Sequence, residues 1–131
     1  MLIDIETSSD RHFGFADSGA GYSSLAKARQ FLEANGVPAE KIQTINAHDP
    51  AVGDVPSVDL AISLISCGFH YPAETYEAFF GAQVNEGGGI VLDIRKGSGG
   101  VPYMKRFGAL DILSREPKHA MIAVTRGGID G

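Results

Sequence analysis

Four histidines, one cysteine and sixteen acidic side chains are the groups in this 131-residue chain that could move a proton, attack an electrophile or hold a metal. His70 stands just past the apolar run Val58-Asp59-Leu60-Ala61-Ile62-Ser63-Leu64-Ile65-Ser66. An imidazole beyond the carboxyl end of a central strand sits where α/β folds bind ligands, and near neutral pH it can accept a hydroxyl proton. His70 is therefore the candidate general base, the alternative being an imidazole that caps or orients the helix after it. Cys67 has no second cysteine and no evident His-Asp partner set, and a lone cysteine is most often a small buried hydrophobe. Asp93 and Arg95 close a second apolar run, Ile90 to Ile94. Alternation turns both to one side of a strand, as an ion pair or as contacts for a polar substrate. His12, His48 and His119 fall in separate turn-like segments without metal-ligand spacing, so no metal site is expected.

These groups need elements to position them. Leu2, Ile3 and Ile5 alternating with Asp4 and Glu6 predict a short strand. The Ser-, Asp- and Gly-rich stretch from Thr7 to Gly21 is either a functional loop or hides a strand over residues 12–16. Ser23 or Ser24 can cap a helix carrying Leu25, Ala28, Phe31 and Leu32 at helical spacing, and Asn35-Gly36 ends it. Lys41 to Ala47 predicts a second strand. Val58 to Ser66, almost without polar interruption, predicts a central strand of a parallel sheet covered on both faces. Pro72 and Glu74 suit the first turn of a helix whose stripe is Tyr76, Phe79, Phe80 and Val84, a core face, with Gly87-Gly88-Gly89 closing it. Then come the strand Ile90 to Ile94, a glycine-rich loop at 97–100, a short helix near Pro102, and two strands near Leu110 to Leu113 and Ala120 to Thr125, read as an antiparallel hairpin. The order is α/β.

The length fits one domain over residues 1–131, with a frayed tail at 126–131. Hydrophobic residues at 44% and charged residues at 21% fit an ordinary core that needs no bridges or metals. A net charge of -5 repels phosphate backbones and anionic lipid, which argues against nucleic acid and membrane partners. No stretch suggests a signal peptide or a membrane span, and one unpaired cysteine suits a reducing compartment; the expected location is cytoplasmic.

The run Val58 to Ser66, then Gly68-Phe69-His70-Tyr71-Pro72 and a helix, then Glu86-Gly87-Gly88-Gly89-Ile90-Val91-Leu92-Asp93-Ile94-Arg95, resembles the later part of a class I S-adenosylmethionine-dependent methyltransferase, most closely the bacterial sugar O-methyltransferases. The resemblance implies a Rossmann-like, mostly parallel sheet with an antiparallel C-terminal hairpin, in which Leu2-Ile3-Asp4 stands for the second strand and Val58 to Ser66 for the fourth. It implies S-adenosylmethionine contacts from Asp4 to the ribose, Asn46 near the adenine and Ser66 at the end of the fourth strand. Cys67, Asp93 and Arg95 would lie on the substrate side, and His70 would be the base for methyl transfer to a sugar hydroxyl. The family's first βα unit, with its glycine-rich cofactor turn, has no counterpart before Leu2. Asp17-Ser18-Gly19-Ala20-Gly21 imitates that turn but is read as an ordinary loop ahead of a helix cap.

Two functions follow as expectations. One is a methyltransferase-like scaffold that self-associates, as a homodimer, or binds a partner or small ligand, without methyltransferase activity of its own. The other is an S-adenosylmethionine-dependent O-methyltransferase, or its remnant, acting on a small hydroxylated substrate such as a sugar. Loss of a strand between those at Leu2 and Val58 leaves edges that seek new pairing, the physical ground for the dimer.

Overall fold

A computed structural model describes residues 1–4, 24–46 and 56–127. The proposed glycine-turn imitation at 17–21, the possible strand at 12–16, His12 and His48 lie outside these residues. The chain divides into two compact units, Met1–Val52 and Gly53–Gly131.

In the first unit, β1 (Leu2–Asp4) and β2 (Thr44–Asn46) form a parallel pair in register, Leu2 with Thr44, Ile3 with Ile45 and Asp4 with Asn46. Helix α1 (Leu25–Ala34) starts where the sequence places it, because Ser24 Oγ accepts the amide of Lys27 at 3.2 Å. A 3-10 turn at Ala39–Lys41 takes the beginning of the expected second strand. Arg29 steadies the passage from helix to strand, donating to the Ala39 and Ile42 carbonyls, each at 2.9 Å.

The second unit holds a four-stranded sheet of order β3-β4-β6-β5. β3 (Val58–Ser63) lies parallel to β4 (Val84–Arg95), whereas β4 with β6 (His119–Arg126) and β6 with β5 (Gly108–Arg115) are antiparallel. The expected antiparallel ending is present. Two of the four ladders among the described residues are parallel. A 3-10 turn (Ala73–Tyr76), helix α2 (Glu77–Ala82), helix α3 (Gly100–Met104) and a second 3-10 turn (Lys105–Phe107) supply the helical elements of this unit. Helix α2 ends at Ala82, so Gly87, Gly88 and Gly89 belong to β4 instead of closing the helix.

The core alternates as strand geometry dictates. Ile90 and Leu92 of β4 stand opposite Val124 and Ile122 of β6, and all four are fully buried together with Met104 of α3. Phe79, Phe80 and Phe107 complete it, the last two edge to face at 5.8 Å; of the predicted helical stripe Phe79 and Phe80 are core, Val84 is buried as the first residue of β4, and Tyr76 is half-buried. Arg126, expected in a frayed tail, is the last residue of β6 and is buried: its guanidinium donates to the carbonyls of Phe80 at 3.2 Å, Gly81 at 2.7 Å and Gly127.

The expectation for Val58 to Ser66 changes most. Among the described residues β3 pairs with β4 alone, and Leu60 and Ile62 are 55% and 58% exposed. They share the sheet face of Val91, opposite the buried face of Ile90 and Leu92. The strand ends at Ser63, where Leu64 to Ser66 bend away. An apolar composition cannot tell a covered strand from an open one; the neighbours decide that.

Candidate active site

At the carboxyl ends of β3 and β4 the chain turns sharply through Ser66 to Tyr71. The Ser66 carbonyl accepts the amides of Phe69, His70 and Tyr71 at 3.0, 2.8 and 3.0 Å, so this Ser contributes its backbone to the turn. Gly68 makes the turn possible. Its φ is +94°, and a Cβ there would stand 2.7 Å from Ile94 Cδ1 and 3.0 Å from the Asp93 carbonyl oxygen. Its carbonyl accepts the Arg95 amide at 2.8 Å, which ties the turn to the end of β4.

The turn presents Phe69 as a hub. Arg95 lies over its face with Cζ 4.3 Å from the ring centroid, while His70 and His119 meet it edge to face at 5.0 and 5.6 Å. Arg95 also donates from Nε to the Phe69 carbonyl at 3.0 Å. His70 is exposed and, with Tyr71, Glu74 and Arg95, lines a cavity of about 230 Å³. An imidazole at such a mouth can accept a proton from a bound hydroxyl, and the exposed guanidinium can orient a polar substrate.

Asp93 and Arg95 do not pair. Asp93 is 2% exposed, and its Oδ1 lies 3.2 Å from His119 Nδ1, while Oδ2 accepts the amide of Ile65 at 3.1 Å. Ile65 carries φ +55°, unusual for a β-branched residue, and the Asp93 contact holds this strained bend between β3 and the site. Sequence reading missed this pair. An acid inside Ile-Val-Leu-Asp-Ile does signal a buried carboxylate that needs a partner, but the partner comes from the β5–β6 hairpin, 26 positions on, through a register that brings Arg95 opposite His119.

Cys67 faces inward. It is 2% exposed, its amide is held by Ser63 Oγ at 2.9 Å, and its thiol approaches the Ala73 carbonyl at 3.9 Å. Burial, reinforced by the nearby Glu74 charge, pushes the thiol up to about 12, so it is neither a ready nucleophile nor a surface for substrate.

Asp4 and Asn46, expected at a cofactor, meet in register at the carboxyl ends of the parallel β1–β2 pair in the first unit. Asn46 is half-buried. Ser66 belongs to the second unit. No group of three or more His, Cys, Asp or Glu suited to a metal occurs among the described residues, and no helix described is long and apolar enough to cross a membrane.

No family model and no curated protein matches the chain. A solved structure does: the 16S rRNA N2 methyltransferase RsmC of T. thermophilus in complex with AdoMet and guanosine, at a TM-score of 0.50 and 19% identity over 77% of this chain. The chain covers 27% of that protein's length. The likeness is one of fold: an α/β chain whose second unit ends in an antiparallel pair of strands.

Proposed function

We infer that this chain is a methyltransferase-like domain that works through association at its open β3 edge, with a second copy as the occupant, and is not a self-sufficient methyltransferase. One observation carries the reading: strand β3, hydrogen-bonded on one side only among the described residues, with its apolar side chains Leu60 and Ile62 more than half exposed. Covering the exposed half of two such side chains is worth about 1 kcal/mol each, and strand pairing adds backbone hydrogen bonds that the open edge leaves to water. A two-fold dimer uses the same edge twice. Light scattering coupled to gel filtration is expected to show a dimer that Ile62→Lys converts to a folded monomer. A wild-type monomer at every concentration overturns the reading.

The second reading, O-methyl transfer to a small hydroxylated substrate such as a sugar, is favoured by the cavity that His70 and Arg95 share. In that reading His70 takes the hydroxyl proton and Arg95 orients the substrate, both from the second unit. Thermal denaturation with S-adenosylmethionine separates the two. Ligand at a hundred times its dissociation constant adds about 2.7 kcal/mol of stability, whereas the scaffold reading expects no shift at millimolar concentration.

A further inference from the structure

A second cavity of about 390 Å³, which shares Arg95 and Gly100 with the first, is lined by the glycine turn after β4 and the β5–β6 hairpin. The geometry points to a binding site for a small amphiphilic anion, one carboxylate or phosphate ester on an apolar body. In a chain of net charge -5, this cavity gathers Arg95, Lys96, Arg115 and His119 against one acid, Glu116. Neither Lys96 nor Arg115 makes an ion pair among the described residues, so their charges face solvent or ligand. The rest of the wall is apolar: Ile94, Val101, Pro102, Ile112 and Ala120. Ile112 is 37% exposed, an apolar surface that a ligand body would cover.

The backbone explains why the charges converge. β4 ends in Arg95, whose register partner is His119 at the start of β6, and Arg115 closes β5 opposite Ala120. The Lys96 amide donates to the Lys118 carbonyl at 2.9 Å, which ties the turn after β4 to the hairpin, and the Glu116 amide donates to the His119 carbonyl at 2.8 Å, which closes the hairpin turn itself. Gly97 and Gly99, at φ +79° and +80°, keep the opposite rim low, with open space where a Cβ would stand. His119 is already oriented by Asp93 at 3.2 Å. Long cationic side chains around an apolar floor bind an anionic head while the body displaces water from the floor. This site lies within the second unit and does not depend on pairing at β3.

The test is NMR titration of the full chain, isotope-labelled, with phenyl phosphate, benzoate, inorganic phosphate and benzyl alcohol in turn. Phenyl phosphate or benzoate is expected to shift signals over residues 94–102 and 112–120, and to bind at least about tenfold more tightly than inorganic phosphate, which lacks the body, or benzyl alcohol, which lacks the charge. The tighter of the two anions names the ligand class. Lys96→Ala with Arg115→Ala weakens binding about tenfold or more with an unchanged melting temperature, and Ile112→Asp does the same through the wall. Binding unaffected by these variants, equal affinity for phosphate or benzyl alcohol, or shifts confined to other residues overturns the proposal.

Discussion

Asp93 Oδ1 and His119 Nδ1 stand 3.2 Å apart, a buried carboxylate on the sheet's central pair of strands facing an imidazole at the start of the hairpin's return strand. The other carboxylate oxygen holds the Ile65 amide. One side chain thus joins the strained exit of β3 to β6. Asp93→Ala removes both contacts and is expected to cost about 2–4 kcal/mol in urea denaturation, since it leaves the Ile65 amide unpaired and its φ of +55° unsupported. Asp93→Asn, which keeps an acceptor, should cost less. Equal stability of wild type and Asp93→Ala would show that neither contact matters.

Gly68 offers a sharper steric case. Alanine there must tolerate φ +94° and a Cβ 2.7 Å from Ile94 Cδ1. Gly68→Ala is expected to destabilise by about 2 kcal/mol or more and to shift the NMR signals of Phe69, His70 and Arg95 together, because the turn carries all three. A neutral substitution would mean that the turn can open without consequence.

The Cys67 thiol holds its proton in the folded chain up to about 12, against 9.0 ordinarily. Between those values the unfolded chain binds fewer protons than the folded one, so this group's contribution to stability is complete below about pH 9 and falls as pH rises through that window. The Tyr103 hydroxyl, also pushed up to about 12, first by burial and then by Glu77, acts in the same direction. The difference between wild type and Cys67→Ala isolates the thiol: stability of the wild type should decline more steeply from pH 9 upward. Alkylation of Cys67 at pH 8 should be slow in the native protein and fast in denaturant.

Arg126 closes the C-terminal end of α2 by donating to Phe80 and Gly81. Arg126→Met keeps the apolar stem and strands these carbonyls, with an expected loss of about 1.5–3 kcal/mol by thermal or chemical unfolding. Arg126→Lys, with a single ammonium in place of a fork, should restore only part of it. Full stability of the Met variant would contradict the capping role.

Much of this chain could be read locally. The Ser24 cap, the helix it starts, the apolar core of β4 and the antiparallel hairpin follow from side-chain spacing and turn chemistry, which act between residues near in sequence. His70 is legible as a residue following an apolar strand, though that strand ends at Ser63 and lies at the end of the sheet order among the described residues. Other features depend on residues far apart in the chain meeting in space. That Asp93 faces His119 and not Arg95 depends on the β4–β6 register. That Cys67 is sealed and Arg126 buried depends on what packs against them. That β3, apolar enough for a sheet's middle, has an open edge among the described residues depends on which strands pair, because hydrophobic burial sets how much surface is covered without naming the partner that covers it.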